Sequence, residues 1–357
     1  MEGQTGLKIA LQLMHPSPYR DIVASKLQGS KAFELDIAYL FSEDYGHANN
    51  GLGKTVDAIA GDSRTLYPKG FLAFRLMWRL LKRFVFGDKY DLVIWTAYAP
   101  WWITLPIVAR AAFGKNFAIA IDTVSDDCGW LAHRIKHFVL SRAKFLWVPG
   151  EASKRFLTDN YRIDSGNIEY GVYSCEFNCE RANHENFPVF LMVANNTPFR
   201  RMDVVVDGFK TYRSNGGLGT LILCGKGVKC FSSDRIECFD GGVEWTKLPE
   251  LYARADVYVH NGTEQFSVAT LMGAMAGLPI LCGAKVGVAS DLFGKIEVGH
   301  AVNDWESSDA WAEAFDKMLQ SRSHWQEMGD NAKSVASKFN PDDIVSHMIE
   351  RLMSLAQ

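Results

Sequence analysis

The stretch GGVEWTKLPELYARADVYVHNGTEQFSVATLMGAMAGLPILCGAKVGVASDLF, Gly241 to Phe293, decides the fold. Leu248–Arg254 reads as an amphipathic helix and Ala255–Val259 as an apolar strand. A polar turn ending in Glu264 and Gln265 follows, then a small-residue helix over Phe266–Ala276, the break Gly277-Leu278-Pro279 and another apolar strand. Apolar strands alternating with helices at short intervals predict an α/β chain with a parallel, doubly wound sheet. Such sheets bind ligands in the crevice beyond the carboxyl ends of their strands. The turn His260-Asn261-Gly262-Thr263-Glu264 belongs there, just before a helix whose N-terminal amides suit an anion.

Outward from this block the pattern repeats. At 357 residues the chain is too long for one ordinary core and suits two domains. Leu7–Leu13, Phe33–Phe41, Asp91–Thr96, Phe117–Asp122 and Lys144–Pro149 read as strands of a first Rossmann-like domain, residues 1–172, with a helix from about Ile22. Residues 173–187 turn polar and lose periodicity, the mark of a linker. A second Rossmann-like domain covers 188–340, and 341–357 holds a closing helix expected to pack back on the first domain.

The order of pieces in the second half resembles the nucleotide-sugar domain of retaining GT-B glycosyltransferases of the "glycosyl transferases group 1" type. The matching residues are Ala255-Asp256, the strand to His260, Glu264-Gln265-Phe266-Ser267 and Ala274-Met275-Ala276-Gly277-Leu278-Pro279. Before them stand Asn195 through Arg200-Arg201 and a strand ending in Gly225-Lys226-Gly227; after them comes His324 through Phe339-Asn340. The resemblance implies two Rossmann-like domains facing a crevice and transfer of a sugar from a nucleotide-diphosphate donor. It also implies two features that this chain lacks. Met272 stands where the family has a second glutamate for the nucleotide ribose, with no carboxylate following until Asp291. Asn195 stands where the family has a strand-end arginine.

The same resemblance assigns the candidate residues. Glu264 would meet the donor sugar near its reacting carbon, where a carboxylate stabilises positive charge; its plain alternative is a helix-start acid. Arg200 and Arg201 would neutralise the departing diphosphate, or else lie solvated at a helix start. Asn195, Gly225, Gly227, Trp245, Gln265, Phe266 and Ser267 complete the donor side, Trp245 as a stacking face for the base. A strand-ending turn would equally explain the glycines, and a core or surface role the tryptophan. On the facing domain, Asp122 would accept the acceptor hydroxyl's proton or orient the sugar, unless it only caps a loop. His15, Arg20, Trp101, Trp102 and Asp126 are the acceptor-side candidates; the two tryptophans would otherwise cover the core. No Asp-x-Asp pair accompanies a strand end, so neither metal nor cofactor is expected and the donor, a UDP- or GDP-sugar, is the only nucleotide called for. Retention follows from the resemblance alone.

Composition bounds the partners. With 38 basic and 41 acidic residues the net charge is −3, which gives no bulk attraction to nucleic acid. Seven scattered cysteines suit a reducing compartment. The C-x3-C pair Cys175 and Cys179 has no second pair at zinc-site spacing. The N-terminus lacks a basic and long apolar leader, and the most apolar run, Ala97 to Phe113, falls short of the roughly 20 residues of a membrane span. A cytoplasmic protein is expected.

Residues 70–86, GFLAFRLMWRLLKRFVF, form the second informative stretch. On a helix Arg75, Arg79, Lys82 and Arg83 share an arc of roughly 100° beside Phe71, Phe74 and Trp78. A basic amphipathic helix of this kind suits the anionic inner membrane face, or is a crossover helix with a solvated basic side. The resulting reading is a metal-independent glycosyltransferase acting on a glycan or lipid-linked precursor, peripheral to the membrane. Its rivals are a soluble enzyme for a small molecule, protein or modified base, and a degenerate GT-B binding subunit.

Overall fold

The structure is a computed structural model and describes residues 6–14, 17–41, 59, 69–96, 100–121, 129–171, 177, 179, 187–294 and 296–355. The first half runs β1 (Lys8–Leu13), α1 (Pro18–Gly29), β2 (Glu34–Tyr39), α2 (Gly70–Leu81), β3 (Leu92–Trp95), α3 (Trp101–Ala112), β4 (Phe117–Ala120), α4 (Trp130–Leu140), β5 (Leu146–Val148), α5 (Glu151–Tyr161) and β6 (Ile168–Tyr170). The second half runs β7 (Val189–Val193), α6 (Met202–Ser214), β8 (Thr220–Gly225), β9 (Ile236–Asp240), α7 (Leu248–Ala253), β10 (Val257–His260), α8 (Val268–Met275), β11 (Ile280–Gly283), α9 (Ala289–Leu292) and β12 (Gly299–Val302). Helices α10 (Ser308–Gln320), α11 (Trp325–Ala336) and α12 (Pro341–Ser354) close the chain.

Each half forms a six-stranded sheet, in orders β2-β1-β3-β4-β5-β6 and β12-β11-β10-β7-β8-β9, with parallel pairing throughout. Parallel strands are covered on both faces and therefore read as apolar runs; all four residues of β3, β4, β10 and β11 are buried. The chain reverses its direction of travel across the second sheet between β7 and β10, and across the first between β1 and β3. Those are the positions where a doubly wound sheet opens a crevice at its strand ends.

One apolar cluster fills the outer face of the first sheet under α2 to α5, and another the outer face of the second under α6 and α10. A third is continuous through both halves, joining Ile94 and Trp147 to Tyr258, Leu271 and Met348. Helix α12 lies against the first half: Lys26 Nζ meets Asp342 at 2.7 Å and Arg351 Nε meets Glu169 at 3.1 Å. Within the stretch expected to be the linker, residues 173–176, 178 and 180–186 lie outside the described residues. Phe177 is buried against Tyr252 with ring centroids 4.9 Å apart, and the Cys179 thiol reaches the Pro249 carbonyl at 3.3 Å.

Two expected bounds shift. Helix α1 starts at Pro18 rather than about Ile22, because proline suits the first helical turn. The basic stretch is not one α-helix: α2 ends at Leu81 and Lys82–Phe86 form a π-helical turn.

Candidate active site at the switch point of the second sheet

The carboxyl ends of β7 and β10 are adjacent in the sheet, and the loops leaving them meet. The backbone N–H of Thr263 donates to the Phe199 carbonyl at 3.2 Å. Across this junction Arg200 Nη2 donates to Glu264 Oε2 at 3.0 Å, while Nη1 reaches the Asn195 carbonyl at 3.4 Å. His260 Nε2 bonds the other oxygen, Oε1. Glu264 is thus gripped from two sides, by Arg200 in the turn after β7 and by His260 at the end of β10, with His260 and Glu264 both little exposed.

Burial alone would raise the Glu264 carboxyl, but His260 and then Arg200 outweigh it and hold it at about 2. His260 is positioned in turn by Tyr258, two residues earlier on the same face of β10. The Tyr258 hydroxyl lies 3.4 Å from His260 Nδ1 and 3.4 Å from the Val193 carbonyl that accepts from it. The rings of Tyr252, Tyr258 and His260 stack in sequence, at interplanar angles of 7° and 12°. Neither Tyr258 nor His260 was among the sequence candidates; the signal available was a histidine ending a strand four residues before Glu264.

The remaining donor-side candidates fall into three groups. Asn195 Oδ1 accepts the backbone N–H of Lys226 at 2.9 Å and Asn196 Nδ2 donates to the Gly227 carbonyl at 3.2 Å, so the loops after β7 and β8 are stitched together. A Cβ on Gly225 would strike the Ala194 carbonyl, and the residue sits at φ +155°; its want of a side chain is set by this packing. Lys226, exposed beside Asn195, adds a cation that the sequence reading did not single out.

Arg201 is turned away, pairing with Asp203 at 3.2 Å and Glu306 at 3.3 Å. Ser267 is the N-cap of α8, accepting from the Thr270 N–H, and Phe266 is buried against Phe339. Gln265 and Trp245 are partly exposed, the latter in a short 3-10 turn. Met272 is buried in the continuous core, pointing a thioether where the resemblance calls for a carboxylate. Asp291 does not replace it. Its carboxylate accepts the Glu151 N–H at the start of α5 at 3.1 Å and pairs with Lys338 at 3.1 Å. Burial pushes Asp291 up against the pull of Lys338, and the group is consumed in joining the two halves.

On the first sheet, His15, Asp122 and Asp126 lie outside the described residues. Arg20 is buried in the first turn of α1. The expectation that both tryptophans line the crevice is corrected: Trp102 is 1% exposed and packs edge-on against Phe41. Adjacent helical residues point about 100° apart, so Trp101 alone, half exposed as the first residue of α3, faces outward. No cluster of three metal-ligating side chains occurs among the described residues.

Residues 180–335 match the family described as Glycosyl transferases group 1. Sucrose-phosphate synthase from Thermosynechococcus elongatus is similar with TM-score 0.71 and 13% identity, over 98% of this chain and 99% of that one. HepE of Anabaena, solved with UDP and glucose, is similar with TM-score 0.68 and 14% identity over 98% and 100%. The lipopolysaccharide outer core galactosyltransferase WaaB, in its apo form, gives 0.68 and 15% over 98% and 100%. No curated protein matches the sequence. At such identities structural likeness speaks for the fold, and here the whole length of both sheets is shared. The second domain thus matches the glycosyl transferases group 1 family, and the pair of facing Rossmann-like sheets is the GT-B architecture.

Proposed function

We propose that the protein transfers a sugar from a nucleotide-diphosphate donor to an acceptor hydroxyl, with the donor in the crevice at the ends of β7 and β10. The observation that carries this reading is the Arg200–Glu264–His260 cluster at the switch point. Departure of a nucleoside diphosphate leaves positive charge on the sugar and negative charge on the phosphates. A carboxylate held ionised serves the first and a guanidinium the second, both preorganised by the fold. Arg200 Nε is buried with no partner among the described residues, which fits a group with a donor still to spend on phosphate oxygen. Lys226 stands at the same edge to share the charge.

HepE, a structural neighbour, binds UDP and glucose, which favours a UDP-sugar over a GDP-sugar as the first donor to try. The resemblance favours retention of configuration and no requirement for a metal. The acceptor reading is a glycan or lipid-linked saccharide, met in the cytoplasm at the inner membrane face. Met272 and Asn195 favour a second reading, a GT-B subunit that binds without turnover, since the ribose carboxylate and the strand-end arginine are both replaced. Donor hydrolysis by the purified protein with UDP-, GDP-, ADP- and CMP-sugars separates the two. Release of one nucleoside diphosphate in preference to the others supports the enzyme; binding of a donor with no release supports the subunit.

A further inference from the structure

The outer face of the first sheet carries an apolar surface with no partner among the described residues. Strands β3, β4 and β5 are consecutive, and right-handed crossovers place α2, α3 and α4 side by side over them, where their inner residues share one core. Outward these helices expose Phe71, Phe74, Trp78, Leu105, Trp130 and Leu131, with Phe71 82% and Trp130 70% accessible. Ring contacts make the surface continuous from α2 to the end of α3, Trp78 to Phe86 at 6.1 Å and Phe86 to Phe113 at 6.2 Å.

The three helices of this face carry charge of one sign, with Asp36 and Asp88 only at its border. Residues 69–87, 100–121 and 129–150 contain no aspartate or glutamate, although the chain has 41. Some of their cations are engaged: Arg83 pairs with Asp36 at 3.1 Å and Arg79 donates to the Ile59 carbonyl at 2.6 Å. Others sit among the exposed rings, Lys82 at 5.4 Å from the Trp78 centroid and Arg134 at 4.7 Å from that of Trp130. Arg75, Lys82, Arg134 and Arg142 form no ion pair among the described residues.

Aromatic and aliphatic side chains interleaved with cations, in a protein whose overall charge is negative, match an interface that is oily below and anionic above. We infer that the α2–α3–α4 face docks on the surface of an anionic lipid bilayer. The surface spans three helices and the π-turn residue Phe86 rather than the single helix legible in the sequence. No helix among the described residues is long and apolar enough to cross a membrane, so the contact is peripheral. Crossover helices run antiparallel to their strands, so the first turns of all three, with Phe71, Trp101 and Trp130, lie level with the strand ends that open on the crevice. A lipid-linked hydroxyl would then meet the enzyme at the crevice rim, which deepens the acceptor reading above; the docking face itself stands without it.

Cosedimentation of the whole protein with phosphatidylcholine vesicles, with and without one-third phosphatidylglycerol, tests the inference. Binding is expected only with phosphatidylglycerol, weakening from low salt to high as the charges are screened. Replacing Arg75, Lys82, Arg134 and Arg142 with glutamine should lower partitioning at least about tenfold. A separate variant with Phe71, Phe74, Trp130 and Leu131 changed to serine should remove the salt-resistant remainder, and its unchanged thermal midpoint would show an intact fold. No binding to the anionic vesicles, or binding that neither variant weakens, overturns the inference. Self-association that the serine variant abolishes would also overturn it, assigning the face to a second copy of the chain. Donor hydrolysis without vesicles reads the crevice alone, so failure of either reading is visible separately.

Discussion

Arg200 donates to Glu264 across 3.0 Å, and in doing so ties the loop after β7 to the loop after β10 at the point where the second sheet reverses its order. The contact sets the state of both side chains. Glu264 stays ionised in a site where burial opposes it, and the guanidinium is fixed at the strand ends beside it. A pair that is little exposed gains from low dielectric what a surface pair loses to solvent.

Acid should loosen this joint. Glu264 has a folded value near 2 against an ordinary 4.5, so its ionisation stabilises the fold at pH above about 4.5 and that contribution is lost as pH falls toward 2. The full shift corresponds to about 3 kcal/mol. Urea unfolding of the wild type and of Glu264→Gln between pH 7 and 3 should show a stability difference that shrinks below about pH 4.5. A difference constant with pH would show that the carboxylate is not held by these partners.

Met272 cannot be turned into the missing ribose clamp by restoring its charge. The side chain is 2% exposed within the continuous core, where an unpaired carboxylate costs several kcal/mol or takes up a proton. Met272→Glu should lose about 3 kcal/mol in chemical denaturation and show no tighter donor in calorimetry. Tighter binding without loss of stability would mean that the position opens on the nucleotide after all.

Gly150 marks a close approach of the two halves. A Cβ there would strike the Asp291 carboxylate and lie 3.1 Å from the Phe266 ring. Its backbone is extended, so the cost of Gly150→Ala is steric alone. The variant should lose about 1–3 kcal/mol and weaken the capping of α5 by Asp291, read as faster hydrogen exchange at Glu151. Unchanged exchange and stability would place the joint elsewhere.

Much of this architecture was legible because buried parallel strands advertise themselves. The runs VFLMV of β7 and TLILCG of β8 admit few other readings. Glu264 and Arg200 were legible only as separate candidates, through the order of pieces around them; that they bond each other is a fact of sheet topology, 64 residues apart in sequence. His260 was placed in the turn at the crevice but given no role, because its bond to Glu264 and its contact with Tyr258 are set by the fold. Asp291 escaped for a stronger reason, since its partners lie 140 and 47 residues away. Trp101 and Trp102 show the limit of a linear reading: consecutive residues of one helix, one outward and one inward.

Chelation should leave turnover intact. In the proposed reaction Arg200 and Lys226 meet the charge on the leaving diphosphate, so donor hydrolysis in excess EDTA should match that in magnesium within about twofold, far below the several kcal/mol that a catalytic metal supplies. Loss of activity in chelator with recovery on adding magnesium or manganese would transfer that role to a cation.

The central claim is that Glu264 and Arg200 act on the donor, and single-turnover donor cleavage by the wild type, Glu264→Gln, Arg200→Gln and the double variant tests it most directly. Each single change should slow cleavage at least about tenfold, equivalent to about 1.4 kcal/mol in the barrier. Because the two side chains bond each other, the double variant should lose less than the product of the single effects. Full cleavage by both folded single variants would contradict the account and leave the cluster as a structural tie between two loops.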